Sequence, residues 1–221
     1  MNSSDRMSLV SSLGLVLFLI ATITGFTLLM QSNRVWEALC ESVGVYNERC
    51  VILFGDSLMA QFSMASNFGW TPYKNRSVSG RRAVTALADL IKVLPEATDV
   101  VFLLGTNDLG TDVSPEELVF AMARLGRAAQ AFGCGVVVCS LLPVSGEHLA
   151  TRSPEVLAYV NGMLRQMCVR NGFNFLDVYT QFAKRNGSLD SRFSTDGLHL
   201  NWKGRHLLGA AVKKAGMREG S

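Results

Sequence analysis

Apolar positions along this chain fall into two patterns. The first is the short unbroken run: Val51-Ile-Leu-Phe54, Val100-Val-Phe-Leu-Leu104, Gly135-Val-Val-Val-Cys139 and Phe173-Asn-Phe-Leu-Asp-Val178. Each predicts a strand, and a weaker candidate ends at Asn75. Continuous apolar character, in place of strict alternation, suits strands covered on both faces of a parallel sheet. The second pattern has helical spacing. Ser114-Pro-Glu-Glu117 reads as a capping box with Pro at the first helical position, and Leu118, Met122, Leu125 and Ala129 follow along one face. Ser153-Pro-Glu155 opens another helix in the same way, and residues 82–94 and 203–214 supply two more. Strands alternating with helices over residues 50–215 predict one three-layer α/β domain, with ligands at the carboxyl ends of the strands.

The N-terminal pattern is different. No charge occurs between Met7 and Gln31, and Ser8–Met30 is nearly all apolar. As a helix this run is ~34 Å long, enough for a hydrocarbon core of about 30 Å. A buried core helix of that length would normally keep one polar face. A cleaved signal peptide is the rival reading, and would leave a secreted or periplasmic chain. Leu28-Leu-Met30 offers no small-x-small cleavage site, however. The expected organisation is therefore a single-pass anchor over 1–30, a helical stalk over 31–49, the domain over 50–215 and a tail over 216–221. Arg6 precedes the span while Arg34 and Arg49 follow it, so charge does not orient it. The short leading tail places the domain on the non-cytoplasmic side.

Composition narrows the function. With 48% hydrophobic and 18% charged residues, the chain is no disordered protein. A net charge of +3 without a basic block argues against nucleic acid as a partner. Five cysteines cannot all pair within one chain, which excludes a disulfide scaffold. Cys134 and Cys139 flank a strand as buried thiols, and Cys40 could pair with Cys50 in an oxidising compartment. No Gly-x-Gly-x-x-Gly, Walker loop or Gly-x-Ser-x-Gly elbow is present. His148 and His206 lack the spacing of metal ligands, so no metal or other cofactor is expected.

Chemistry concentrates where the strands end. Gly55-Asp-Ser57-Leu58 follows the first strong strand and Gly105-Thr-Asn107-Asp108 the second. Asn75-Arg-Ser-Val-Ser-Gly80 ends the weaker one, and Asp196-Gly-Leu-His199 stands near the C-terminus. Ser57 is a nucleophile candidate that needs a base within reach. His199 can be that base, and Asp196 can hold its tautomer. Backbone N–H groups of Ser57 and Gly80 and the side-chain amide of Asn107 are candidate donors to an oxyanion. Each piece alone has a plain structural alternative: a turn at Gly55–Ser57, a helix cap at Asn107, a surface turn at Asp196–His199.

In order and context the four clusters resemble the GDSL, or SGNH, hydrolase family. Ser57, Gly80, Asn107 and His199 occupy its four named positions, and the likeness spans residues 50–215. The resemblance implies a flavodoxin-like sheet of about five parallel strands and serine-dependent hydrolysis of an acyl ester, such as an O-acetyl glycan or a lipid ester. An acyl transferase with the same residues, or a non-catalytic binding module on the same fold, are the alternatives. Met59-Ala-Gln61 and Arg81-Arg82 depart from the family pattern and are expected at the pocket rim.

Overall fold

A computed structural model describes residues 20–25, 32–45 and 49–216. Five strands form one sheet: β1 (Val51–Gly55), β2 (Tyr73–Asn75), β3 (Asp99–Leu103), β4 (Gly135–Cys139) and β5 (Asn174–Leu176). Their order is β2-β1-β3-β4-β5 and every pairing is parallel, the flavodoxin-like arrangement expected. The longer helices are α1 (Asn33–Ser42), α2 (Leu87–Val93), α3 (Pro115–Ala131), α4 (Pro154–Asn171) and α5 (Trp202–Gly216).

The period of two along the strands divides the core. Ile52, Phe54, Val100, Phe102, Val136 and Val138 face one layer, shared with α2, α3 and α4. Val51, Leu53, Val101, Leu103 and Val137 face the other, shared with α1 and α5. Phe54 and Phe102 meet edge-to-face at 5.9 Å. A fully buried Phe of this kind costs about 3–5 kcal/mol when cut to Ala. The expected capping box is present: Glu117 N donates to Ser114 Oγ, and Ser114 N donates to Glu117 Oε2.

The same alternation decides the open question of a Cys40–Cys50 bridge. Cys50 enters β1 in phase with Ile52 and Phe54, whereas Cys40 lies on α1 with the opposite cluster. The sheet separates them, and no disulfide joins them. Cys134 and Cys139 are buried thiols as expected.

Of residues 31–49, expected as a stalk, α1 lies against the domain. Trp36 and Glu37 are buried, and the Trp36 indole donates to the Gly69 carbonyl at 2.9 Å. Most of the apolar run Ser8–Met30 lies outside the described residues, as do 217–221 of the tail. Among the described residues, no helix is long and apolar enough to cross a membrane.

Candidate active site

Three of the four polar clusters begin where strands end. Gly55 closes β1, and a Cβ there would stand 2.9 Å from the Leu103 carbonyl oxygen, so the close β1–β3 approach requires glycine. The chain then turns into a single helical turn, Ser57–Ala60, whose N-cap is Asp56. Asp56 Oδ1 accepts from Leu58 N at 2.9 Å, which fixes the turn and lifts Ser57 to the carboxyl edge of the sheet.

His199 comes to Ser57 from the far end of the chain. Ser57 Oγ and His199 Nε2 are 3.1 Å apart, and His199 Nδ1 lies 2.8 Å from Asp196 Oδ2. An ionised carboxylate only accepts, so Nδ1 carries the ring proton and Nε2 is left to accept from the serine hydroxyl. Asp196 is itself held in place. Its Oδ1 accepts from Leu198 N at 2.9 Å, from His199 N at 2.7 Å and from the Ser194 hydroxyl at 3.2 Å. Partial burial favours its neutral form, but the Leu198 N–H, the His199 ring and the His199 N–H outweigh that. They hold the carboxyl well below its usual range.

The second and third clusters are tied to this turn and to each other. Val78 N donates to the Gly55 carbonyl at 3.1 Å, and Arg81 Nη1 donates to the same oxygen at 3.3 Å. Gly80 has φ +77°, a left-handed conformation that glycine adopts without strain. Neither its N–H nor that of Ser57 finds a backbone acceptor among the described residues. Asn107 sits inside the short helix Thr106–Leu109 and makes no cap hydrogen bond. Its amide instead donates to the Arg81 carbonyl at 3.2 Å, which excludes the helix-cap alternative.

Four contributors escaped sequence reasoning. Asp108 is fully buried, and its carboxylate accepts from Ala83 N at 2.8 Å and Val84 N at 3.1 Å. It pins the loop after Gly80; its place beside Asn107 was the available clue. Arg152 donates through Nε to the Thr106 carbonyl at 2.7 Å, supporting the turn that carries Asn107. Glu37 on α1 accepts from Asn75 N at 2.9 Å and pairs with Arg76 at 2.6 Å, bracing the second cluster from outside the 50–215 domain. Asp56 is 1% exposed and its Oδ2 has no hydrogen-bond partner among the described residues. Burial is the main cause that pushes its carboxyl up to about 6.

The two departures at Met59 and Arg81 are not at the rim. Met59 is in the core, and the Arg81 guanidinium turns inward to lie 4.1 Å from the Phe54 ring centroid. A helix-facing position in the first case and a cation–π seat in the second account for the inward placement. Gln61 is exposed.

Residues 53–207 match the model of the GDSL-like lipase/acylhydrolase family. Among solved structures, the chain is similar to a GDSL-like lipase from Bacteroides thetaiotaomicron, with TM-score 0.70 and 18% identity over 84% of this chain and 97% of that one. It is also similar to a variant of an acetyl-xylooligosaccharide esterase from Geobacillus, with TM-score 0.62 and 13% identity over 78% and 95%. A curated relative, an N-acylneuraminate cytidylyltransferase of Streptococcus agalactiae, is 25% identical over 162 residues. That match takes in 73% of this chain but only 37% of the relative's length.

Proposed function

The chain belongs to the GDSL-like lipase/acylhydrolase family, and from that premise we propose that it hydrolyses a carboxylic ester through an acyl-enzyme on Ser57. The observation that carries this reading is the unbroken relay from Ser57 Oγ to His199 Nε2 and from His199 Nδ1 to Asp196, at 3.1 and 2.8 Å. The Ser57 oxygen attacks the ester carbonyl as its proton passes to Nε2. Negative charge then gathers on the former carbonyl oxygen. The N–H groups of Ser57 and Gly80 and the second amide hydrogen of Asn107 meet it there. His199 returns the proton to the departing alkoxide, leaving the acyl group on Ser57. Water follows by the mirrored path: His199 takes its proton, the acid is released and Ser57 is restored. Asp196 stays ionised throughout and stabilises the imidazolium formed in each half.

The uncharged Ser8–Met30 run is proposed to anchor the chain in a membrane, with the catalytic domain on the non-cytoplasmic side.

Ser57→Ala tests the chemistry. Turnover of p-nitrophenyl acetate should fall by roughly three or more orders of magnitude. A fluorophosphonate probe should label the wild type and spare the variant. Labelling that persists at full strength would place the nucleophile elsewhere.

A further inference from the structure

Residues 145–152 touch both halves of the candidate site. At one end Ser145 N donates to the Gly197 carbonyl at 2.8 Å, inside the turn that runs from Asp196 to His199. At the other end Arg152 Nε donates to the Thr106 carbonyl at 2.7 Å. That carbonyl belongs to the peptide unit joining Thr106 to Asn107. In a longer helix the Gly110 N–H would meet it, but here Gly110 N donates to the Asp108 carbonyl instead. The guanidinium therefore stands in for a backbone donor at the end of this short helix. Because the peptide unit is planar, gripping its oxygen fixes the plane from which Asn107 departs.

The guanidinium is buried in a seat shaped for it. Arg152 is 8% exposed. A Cβ at Gly110 would run into Nη2, Cζ and Nη1 of Arg152, the first three atoms it would meet. Gly110 has φ −78°, which alanine adopts without strain. What the glycine supplies is room for the guanidinium. Nη1 also donates to Thr151 Oγ1 at 3.3 Å. Among the described residues no carboxylate is in ion-pair contact with Arg152; Asp56, the N-cap of the nucleophile turn, is the acidic group that acts on it. A buried cation without such a contact costs stability, so stability alone does not account for this one.

We propose that Arg152 is a positioning residue for catalysis, which holds the Thr106–Asn107 peptide and through it aims the Asn107 amide at the oxyanion. A fixed donor loses its value quickly when displaced, and a misplacement of about 1 Å can cost roughly 10²-fold in rate. The effect on rate rests on the esterase reading, and the hold on Asn107 on the Arg152–Thr106 contact alone.

The test is a double-mutant cycle in the full-length protein, with p-nitrophenyl acetate as substrate. Arg152→Ala should lower kcat roughly 10–100-fold with KM little changed. In an Asn107→Ala background the same substitution should cost no more than about twofold, because the donor it positions is already gone. Losses that multiply overturn the proposal, and so does a wild-type kcat in Arg152→Ala. Gly110→Ala gives an independent arm, since it displaces the guanidinium and leaves every hydrogen-bonding side chain present. It should lower kcat on its own and add nothing in Arg152→Ala, where the methyl group has room. An equal loss in both backgrounds overturns the proposal. If Arg152→Ala does not fold, Gly110→Ala with and without Asn107→Ala decides by the same criterion. If the wild type cleaves no ester, the esterase reading falls, and the hold is read from the Asn107 side-chain amide signals in a 1H–15N spectrum, assigned by their loss in Asn107→Ala. Signals that shift in Gly110→Ala support it; unmoved signals overturn it.

Discussion

Asn107 reaches across from the end of β3 to donate its side-chain amide to the carbonyl of Arg81, the residue after Gly80, at 3.2 Å. One amide hydrogen is used to position the glycine loop, and under the proposed chemistry the other meets the developing oxyanion. The two duties separate in a variant. Asn107→Ala loses one ordinary hydrogen bond, worth about 0.5–1.5 kcal/mol of stability. It also loses a donor whose value exists only in the transition state, which should lower kcat by roughly 10²–10³ with KM little changed. Asn107→Asp should recover none of this, because a carboxylate repels the charge it would face. Thermal melts and steady-state kinetics on the same preparations decide it. A variant that melts early but turns over substrate at the wild-type rate would sink the oxyanion role.

Ser57, Asp196 and His199 stand out in the sequence because each follows a buried apolar run or forms a compact cluster of its own. Strand, turn and chemistry were therefore adjacent in sequence. The parallel sheet was legible for the same reason: runs such as Val100–Leu104 leave no polar face. What supports the site was not. Glu37 braces Asn75 and Arg76 from a helix that composition alone assigned to a stalk, and Arg152 reaches Thr106 across 46 positions. Local patterns carry no record of such partners. The sequence left a Cys40–Cys50 bridge open because closeness in sequence says nothing about which face of a sheet a side chain takes.

The packing of α1 sets where an anchor can be separated from the domain. A chain of residues 32–221 retains Asn33, which bonds to Phe62 and Met64, as well as Trp36 and Glu37. It should be soluble and as active as the full chain. A chain of residues 50–221 exposes the surface beneath Trp36 and leaves Arg76 without its Glu37 partner. Losing that aromatic alone costs about 3–5 kcal/mol, so this chain should melt well below the longer one. The full-length protein should sediment with membranes and resist alkaline extraction. Recovery of the intact chain in the soluble fraction would count against the anchor.

Stability should depend on pH through two aspartates that act with opposite sign. Asp196 is held below its ordinary value in the folded protein, so what it contributes is complete above about pH 4 and is lost as pH falls further. Being half-exposed, it contributes little. Asp56 is the reverse. Its carboxyl is pushed from 3.8 up to about 6, mainly by burial, so the folded state keeps a proton that the unfolded chain has already released. Folding is favoured on this account below about pH 4, weakens as pH rises, and carries the full cost of a buried charge above about pH 6. Moving that carboxyl from 3.8 to about 6 corresponds to roughly 3 kcal/mol. Asp56→Asn keeps the acceptor for Leu58 N and does not titrate. Whatever constant penalty its buried amide brings is the same at every pH. The difference in unfolding free energy between variant and wild type should therefore move by roughly 3 kcal/mol in the variant's favour from about pH 4 to about pH 7. Urea denaturation at several points across that interval measures it. A flat difference would mean that Asp56 is already charged at the acid end, and that its unpartnered oxygen is tolerated as an anion.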